Sequence, residues 1–185
     1  MFRPTLITPP AGKPVGATEC KSHAVVDYSE DDAIVEAMID AAVSHFDGFR
    51  GVLGRAIILQ TWQVEMGAWQ RCVDLPVPDV SAVTITYADA AGEQQDGPNV
   101  RILATSGGTR VVLPNNWSFP ATETGNPAPI SIQFTCGFGD ASAVPSAIKM
   151  AIMQMVAHMF AEREGISIAE PVYDRLIAPW RWARL

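Results

Sequence analysis

The sequence predicts an α+β fold in which N- and C-terminal helices form one bundle and a β-rich region is inserted between them. Three observations predict it. Apolar residues recur at helical spacing over residues 34–49, as Ile34, Val35, Met38, Ile39, Ala42, Phe46 and Phe49. Strict alternation replaces that period at Val83, Ile85 and Tyr87, and again at Ile130, Ile132, Phe134 and Cys136. Helical spacing then returns in Ile148, Ala151, Ile152, Met155, Val156 and Met159. Neither helical stretch can bury its apolar stripe alone, so the two are expected to pack together.

The elements follow in order. Residues 1–17 carry several prolines and read as an extended arm. They lack the apolar core of a signal peptide, and no run of apolar residues is long enough to span a bilayer. A short helix is predicted from Thr18 to about Ala24. Ser29 is the expected N-cap of the next helix, with Glu30, Asp31 and Asp32 in its first turn, where the helix dipole favours negative charge. Gly51 is its expected stop.

Residues 18–55 and 137–170 make up the predicted helical core, residues 56–136 the β-rich insertion. Within the insertion a long strand is expected over 56–66. Residues 100–103 and 110–113 flank Ser106-Gly107-Gly108 and read as a hairpin. Residues 114–129 hold four prolines and Trp117, the composition of an irregular loop. Pro145 suits the first position of a helix ending near Glu164 and stopped by Gly165. A short helix from Pro171 leads into the tail, residues 171–185.

No catalytic motif is present. Gly137-Phe138-Gly139 lacks the downstream glycine of a dinucleotide site and reads as a tight strand-to-helix turn, with Asp140 as a turn residue. Cys20, Cys72 and Cys136 are far apart, as are His23, His45 and His158, so neither a disulfide framework nor a metal site is expected. The acidic pairs lie at an exposed helix start, not in an apolar pocket that would raise a carboxyl pKa. No enzyme activity and no cofactor are expected.

Three features read as surfaces. Asp32, Glu36 and Asp40 stand at i, i+4 and i+8 and form an acidic ridge. It is either a solvated helix face or a channel or subunit surface, facing a basic neighbour or a polyanion that must slide without binding. The late helix carries four of the seven methionines, and Met150 and Met153 spread apolar surface beyond its main stripe. Such a helix is central in its own bundle or shared with another subunit. The final eleven residues carry Arg175, Arg181 and Arg184, net +3, with Trp180 and Trp182 interleaved. Two tryptophans favour docking, on a partner or on the chain's own domain. The chain's net charge of −7 argues against gripping nucleic acid over the whole surface. Residues 18–49 alone hold eight acidic residues and one lysine, so the acidity is local.

The order of segments resembles the head–tail connector (adaptor) proteins of long-tailed bacteriophages, prophages and gene transfer agents. The residues that carry the resemblance are DDAIVEAMIDAAVSHFDGFRG at 31–51, LPVPDVSAVTITYADAAG at 75–92 and CGFGDASAVPSAIKMAIMQMVAHMFAERE at 136–164. It implies a structural virion protein, made in the host cytoplasm, that forms a dodecameric ring beneath the portal. The implied partners are the portal protein, neighbouring adaptor subunits, a tail-completion or stopper protein, and double-stranded DNA passing through the channel without sequence-specific binding. The family's C-terminal anchor into the portal would fall on Leu176, Ile177, Trp180, Arg181, Trp182 and Arg184. The smallest family members are almost wholly helical, and the β-rich middle departs from them. Two other readings are another phage assembly factor, tail-completion or capsid-associated, and a small-molecule enzyme.

Overall fold

The computed structural model describes residues 3–24, 32–163, 165 and 173–182. They form a mixed α+β structure in which the early and late helices pack together and the sheets are inserted between them in sequence. The chain divides into two compact units, one of residues Ala11–Ile58 and Phe138–Ala183, the other of Met1–Pro10, Leu59–Gly137 and Arg184–Leu185.

The first unit is helical, with α1 (Ala17–Ala24), α2 (Asp32–Phe46), α3 (Ser146–Arg163) and α4 (Tyr173–Ile177). Helices α1, α2 and α4 all pack against α3. That central position explains why α3 is apolar around most of its girth. Ile148, Ala151, Ile152, Val156 and Phe160 are buried, while Met153, Met155 and Met159 pack partly buried against the same core. From α2 come Val35, Ile39, Ala42 and Phe46, spaced three and four apart so that one face is buried. Cys20 of α1 and Ile177 of α4, both fully buried, extend the cluster.

The end of α2 departs from expectation. The helix stops at Phe46, before Gly51, and Gly48 takes the left-handed conformation at φ 77°. The chain then folds back on the helix end: Val52 donates to the His45 carbonyl and Leu53 to that of Phe46. The Asp47 carboxylate accepts the Ile57 amide at 2.6 Å. Ala56, Ile57 and Ile58 are thereby buried in irregular structure, so the long strand expected over 56–66 begins only at Gln60. Burial of a short apolar run does not require extended pairing.

The second unit is built from two antiparallel sheets. The strands are β1 (Thr5–Thr8), β2 (Gln60–Met66), β3 (Cys72–Leu75), β4 (Val80–Ala88), β5 (Gln94–Asp96), β6 (Arg101–Thr105), β7 (Gly108–Val112) and β8 (Ile130–Cys136). One sheet has the order β1-β2-β8-β4-β5, the other β3-β7-β6. The expected hairpin is β6 and β7, closed by Thr105 opposite Gly108. Strands β1, β3 and β5 went unpredicted because three or four residues are too few for alternation to register.

Register sets the faces. In the five-stranded sheet Val64, Ile132 and Ile85 form one inward row, and Met66, Ile130 and Tyr87 the next. In the three-stranded sheet Val73 lies opposite Val111, and Val111 opposite Ile102. These inward residues supply the unit's core, and the sheets meet through β4 and β6.

The turn at Gly137-Phe138-Gly139 forms as expected, with both glycines at positive φ (131° and 137°). Asp140 does more than turn the chain. Its carboxylate accepts the amides of Ser142 (2.8 Å) and Ala143 (3.2 Å), capping a single 3-10 turn that delivers Pro145 to the start of α3. The expected cap Ser29, the helix end at Glu164 and the helix start at Pro171 lie outside the described residues, as does Arg184. Gly165 adopts φ 72°, the expected stop conformation.

Candidate functional surfaces

The tail docks on its own helical unit. Ile177 is completely buried and Leu176 and Trp180 pack half-buried against the core. The Trp180 ring meets Phe138 edge-on at 5.8 Å. The Arg55 guanidinium lies 5.0 Å from the centre of Phe138 and 5.9 Å from that of Trp182. The Trp182 amide donates to the Leu53 carbonyl at 2.7 Å. Arg181, exposed, pairs with Asp174 seven residues earlier. Apolar and aromatic side chains that sequence reasoning offered to a partner are here satisfied in the same unit.

The acidic ridge is engaged as well. Lys13 Nζ lies 2.6 Å from both Glu36 Oε2 and Asp40 Oδ1, and Lys21 pairs with Asp32. The two carboxylates hold Lys13 above its ordinary lysine value, chiefly through the hydrogen bonds it donates to Asp40 and then Glu36. Two lysines therefore oppose three carboxylates, and the ridge is far less negative than its spacing on α2 implies. The pairs are exposed enough that each contributes about 0–1 kcal/mol and is screened by salt. Of the two methionines singled out, Met153 is packed against the core, whereas Met150 is 36% exposed.

One cluster escaped sequence reasoning. Trp69 stacks on Phe119 (5.9 Å, 10° between planes) and meets Tyr87 and Trp117 edge-on at 5.2 and 6.3 Å. Arg71 lies 4.5 Å over Phe119 and donates to the carbonyls of Pro114 and Trp117. Trp69 Nε1 donates to the Pro120 carbonyl at 3.0 Å. These bonds fasten the proline-rich loop to the β unit. Its members come from three separate segments, and only the density of aromatics at 117–119 hinted at it.

The two sheets present different outward faces. None of the five strands of the larger sheet contains Lys or Arg. Its outward rows are Thr61–Thr135–Ala82, Gln63–Gln133–Thr84 and Glu65–Ser131–Thr86, the last continued by Asp96. A polar hollow of about 490 Å³ opens there, with Gln63, Gln133, Ser131 and Glu123 in its wall. The smaller sheet turns out Arg101, Leu103, Arg110, Cys72 and Asp74. Arg110 holds both oxygens of Asp74 at 2.6 and 2.8 Å. Arg101 has no ion pair among the described residues and borders a hollow of about 360 Å³ with Asn99, Val112, Pro114 and Asn115.

Among the described residues no group of three or more His, Cys, Asp or Glu side chains could hold a metal ion. No helix among them is long and apolar enough to cross a membrane. The perturbed carboxyls are accounted for by local bonds: Asp89 is lowered chiefly by the Glu93 amide, Asp140 by Ser142, and Asp74 by Arg110.

No protein-family model and no curated protein matches the chain. Solved structures do. The chain shares its fold with one in the neck of an empty gene transfer agent particle computed with C6 symmetry, at a TM-score of 0.78 and 22% identity over 100% of this chain and 97% of that one. A chain in the virion of a native gene transfer agent particle gives 0.77 and 23%, with the same coverage. A chain in the neck of a native particle computed with C12 symmetry gives 0.75 and 24%, again covering 100% and 97%. At these identities the likeness is one of fold.

Proposed function

We propose that the chain is a structural protein of the neck of a gene transfer agent or tailed-phage particle, a ring-forming head–tail connector (adaptor) without catalysis. The observation that carries this reading is the full-length likeness, β unit included, to chains of gene transfer agent necks. It is supported by the ordered motifs at 31–51, 75–92 and 136–164. The C6 and C12 symmetries used for those necks suit a ring of neighbouring copies beneath a portal, extending the DNA channel toward a tail-completion protein.

On this reading the roles are mechanical. An acidic protein, net −7, lets DNA pass without gripping it. Exposed Met150 offers a small apolar contact to a neighbouring subunit. Leu176, Ile177, Trp180, Arg181, Trp182 and Arg184 are the proposed portal anchor, and anchoring would exchange the tail's contacts within its own unit for contacts with the portal. Asp32, Glu36 and Asp40 are the proposed channel or subunit ridge.

Electron microscopy of the protein with and without portal tests the reading: portal-dependent rings are expected, and free portals beside unassembled protein would overturn it. The docking of the tail on its own unit favours a second reading, a neck component whose tail is purely structural. Truncation after Glu170 separates the two. An anchor predicts loss of portal binding, whereas a structural tail predicts a destabilised protein that still co-purifies with portals.

A further inference from the structure

We infer that neighbouring copies join head to tail through their β units, the outward face of the five-stranded sheet of one copy seating on the outward face of the three-stranded sheet of the next. This rests on the ring reading above and names the surfaces that would form the ring contact.

Both faces carry exposed side chains, Glu65, Thr84, Gln133 and Asp96 on the larger and Cys72, Asp74, Arg101, Leu103 and Arg110 on the smaller, and they differ in chemistry. The strands of the larger carry no Lys or Arg, exposed Arg3 standing just before β1, and the face bears Glu65 and Asp96 among short hydroxyl and amide side chains. The smaller bears Arg101, unpaired among the described residues, and Leu103, 40% exposed. An arginine beside exposed apolar surface and a hollow is the composition of an interface centre. Carboxylates set in a face of hydrogen-bonding groups complement it.

Because the inward faces of the two sheets are both buried in one unit, the two outward faces look away from each other. Complementary patches on opposite sides of one chain make a heterologous contact, which builds a ring where the rotation between copies closes, as the ring reading requires, and an open filament where it does not. An isologous dimer would instead set like against like: carboxylate face on carboxylate face, or Arg101 against Arg101. A second copy is therefore the occupant that satisfies both faces at once.

The exposed native thiol of Cys72 lies in the same outward row as Arg101, joined through Val112. Thr84→Cys places a second thiol at the middle of the opposite face, beside Gln133. Cross-linking the full chain with a short bismaleimide, alone at high concentration and with portal, should give a ladder extending beyond dimer and requiring both cysteines. Arg101→Glu should weaken the ladder about tenfold, and so should Glu65→Arg with Asp96→Arg. Mixing the two charge-reversed proteins should restore mixed pairs to within about threefold of the original.

A Thr84→Cys dimer that still forms when Cys72 is replaced by Ser would show a like-to-like contact and overturn the inference. Rings seen by microscopy with no cross-link, or with assembly indifferent to Arg101→Glu, would overturn it while leaving the ring reading intact. No oligomer in either setting would sink both.

Discussion

Gly54 and Trp182 approach so closely that a Cβ built on Gly54 would lie 2.8 Å from the Trp182 carbonyl oxygen. Gly54 also holds φ 65°, a conformation that L side chains rarely adopt. The neighbouring Leu53 carbonyl accepts the Trp182 amide. One glycine, remote in sequence, thus licenses the tail's path across its own unit. Gly54→Ala is expected to lift the tail locally, at a cost of about 1–3 kcal/mol, while the helices persist. Tryptophan emission should shift to the red and trypsin should cut faster after Arg175 and Arg181, with far-UV circular dichroism unchanged. Unaltered emission and proteolysis would mean the contact does not hold the tail.

Phe46 is fully buried and meets His45 and Tyr173 edge-on at 5.1 and 5.4 Å. Phe46→Ala should cost about 3–5 kcal/mol, the transfer free energy of the ring plus the cavity it leaves. Met150→Ala, at an exposed position of α3, should cost about 0.5 kcal/mol or less. Urea denaturation of the two variants measures the contrast, and equal costs would mean that Phe46 is not a buried anchor of the helical unit or that Met150 is not at its surface.

The thiols should differ sharply in reactivity. Burial pushes the Cys20 thiol up to about 11, and Cys136 is also buried, whereas Cys72 is exposed on β3. One thiol per chain should react with Ellman's reagent at mildly alkaline pH and three after denaturation. Cys72→Ser should abolish the native reaction. Rapid native reaction of a second thiol would show that a buried cysteine is accessible.

Stability should fall at both extremes of pH, for opposite reasons. Asp74, Asp89 and Asp140 are held below the usual carboxylate range, so their contribution is present above that range and is lost as pH falls through it. Lys13 is held above the usual lysine value, so its contribution is present below that value and is lost as pH rises through the elevated one. Thermal melts should show Asp89→Asn shallowing the acid limb and Lys13→Met the alkaline limb. The Lys13→Met loss, about 0–1 kcal/mol per ion pair, should disappear in about 1 M salt. Limbs that do not respond would assign the pH dependence to other groups.

Much of the fold was legible where one periodicity runs long enough. Val35, Ile39, Ala42 and Phe46 mark the buried face of α2, and Ile130, Ile132, Phe134 and Cys136 that of β8. Local chemistry also identified the turn at Gly137 and Gly139 and the start of α3 behind Pro145. Residues 56–58 were misread because an apolar triplet looks alike in a strand and in a buried loop. The aromatic cluster at Trp69 was illegible because Tyr87 and Phe119 reach it only through sheet pairing and a loop.

By itself the sequence determined which side chains seek burial and with what period, and hence the helices, the longer strands and the α+β class. Tertiary structure alone decided what each surface met. Lys13, 23 residues from Glu36, quiets the acidic ridge. Leu53 and Gly54 receive a tail more than a hundred residues away in sequence. The two sheets turn outward a face whose strands carry no Lys or Arg and a face that bears Arg101 and Arg110. Periodicity is a property of neighbouring residues and survives in one dimension. The partner of a charge or an aromatic ring is set by chain reversal and strand register, which exist only in three.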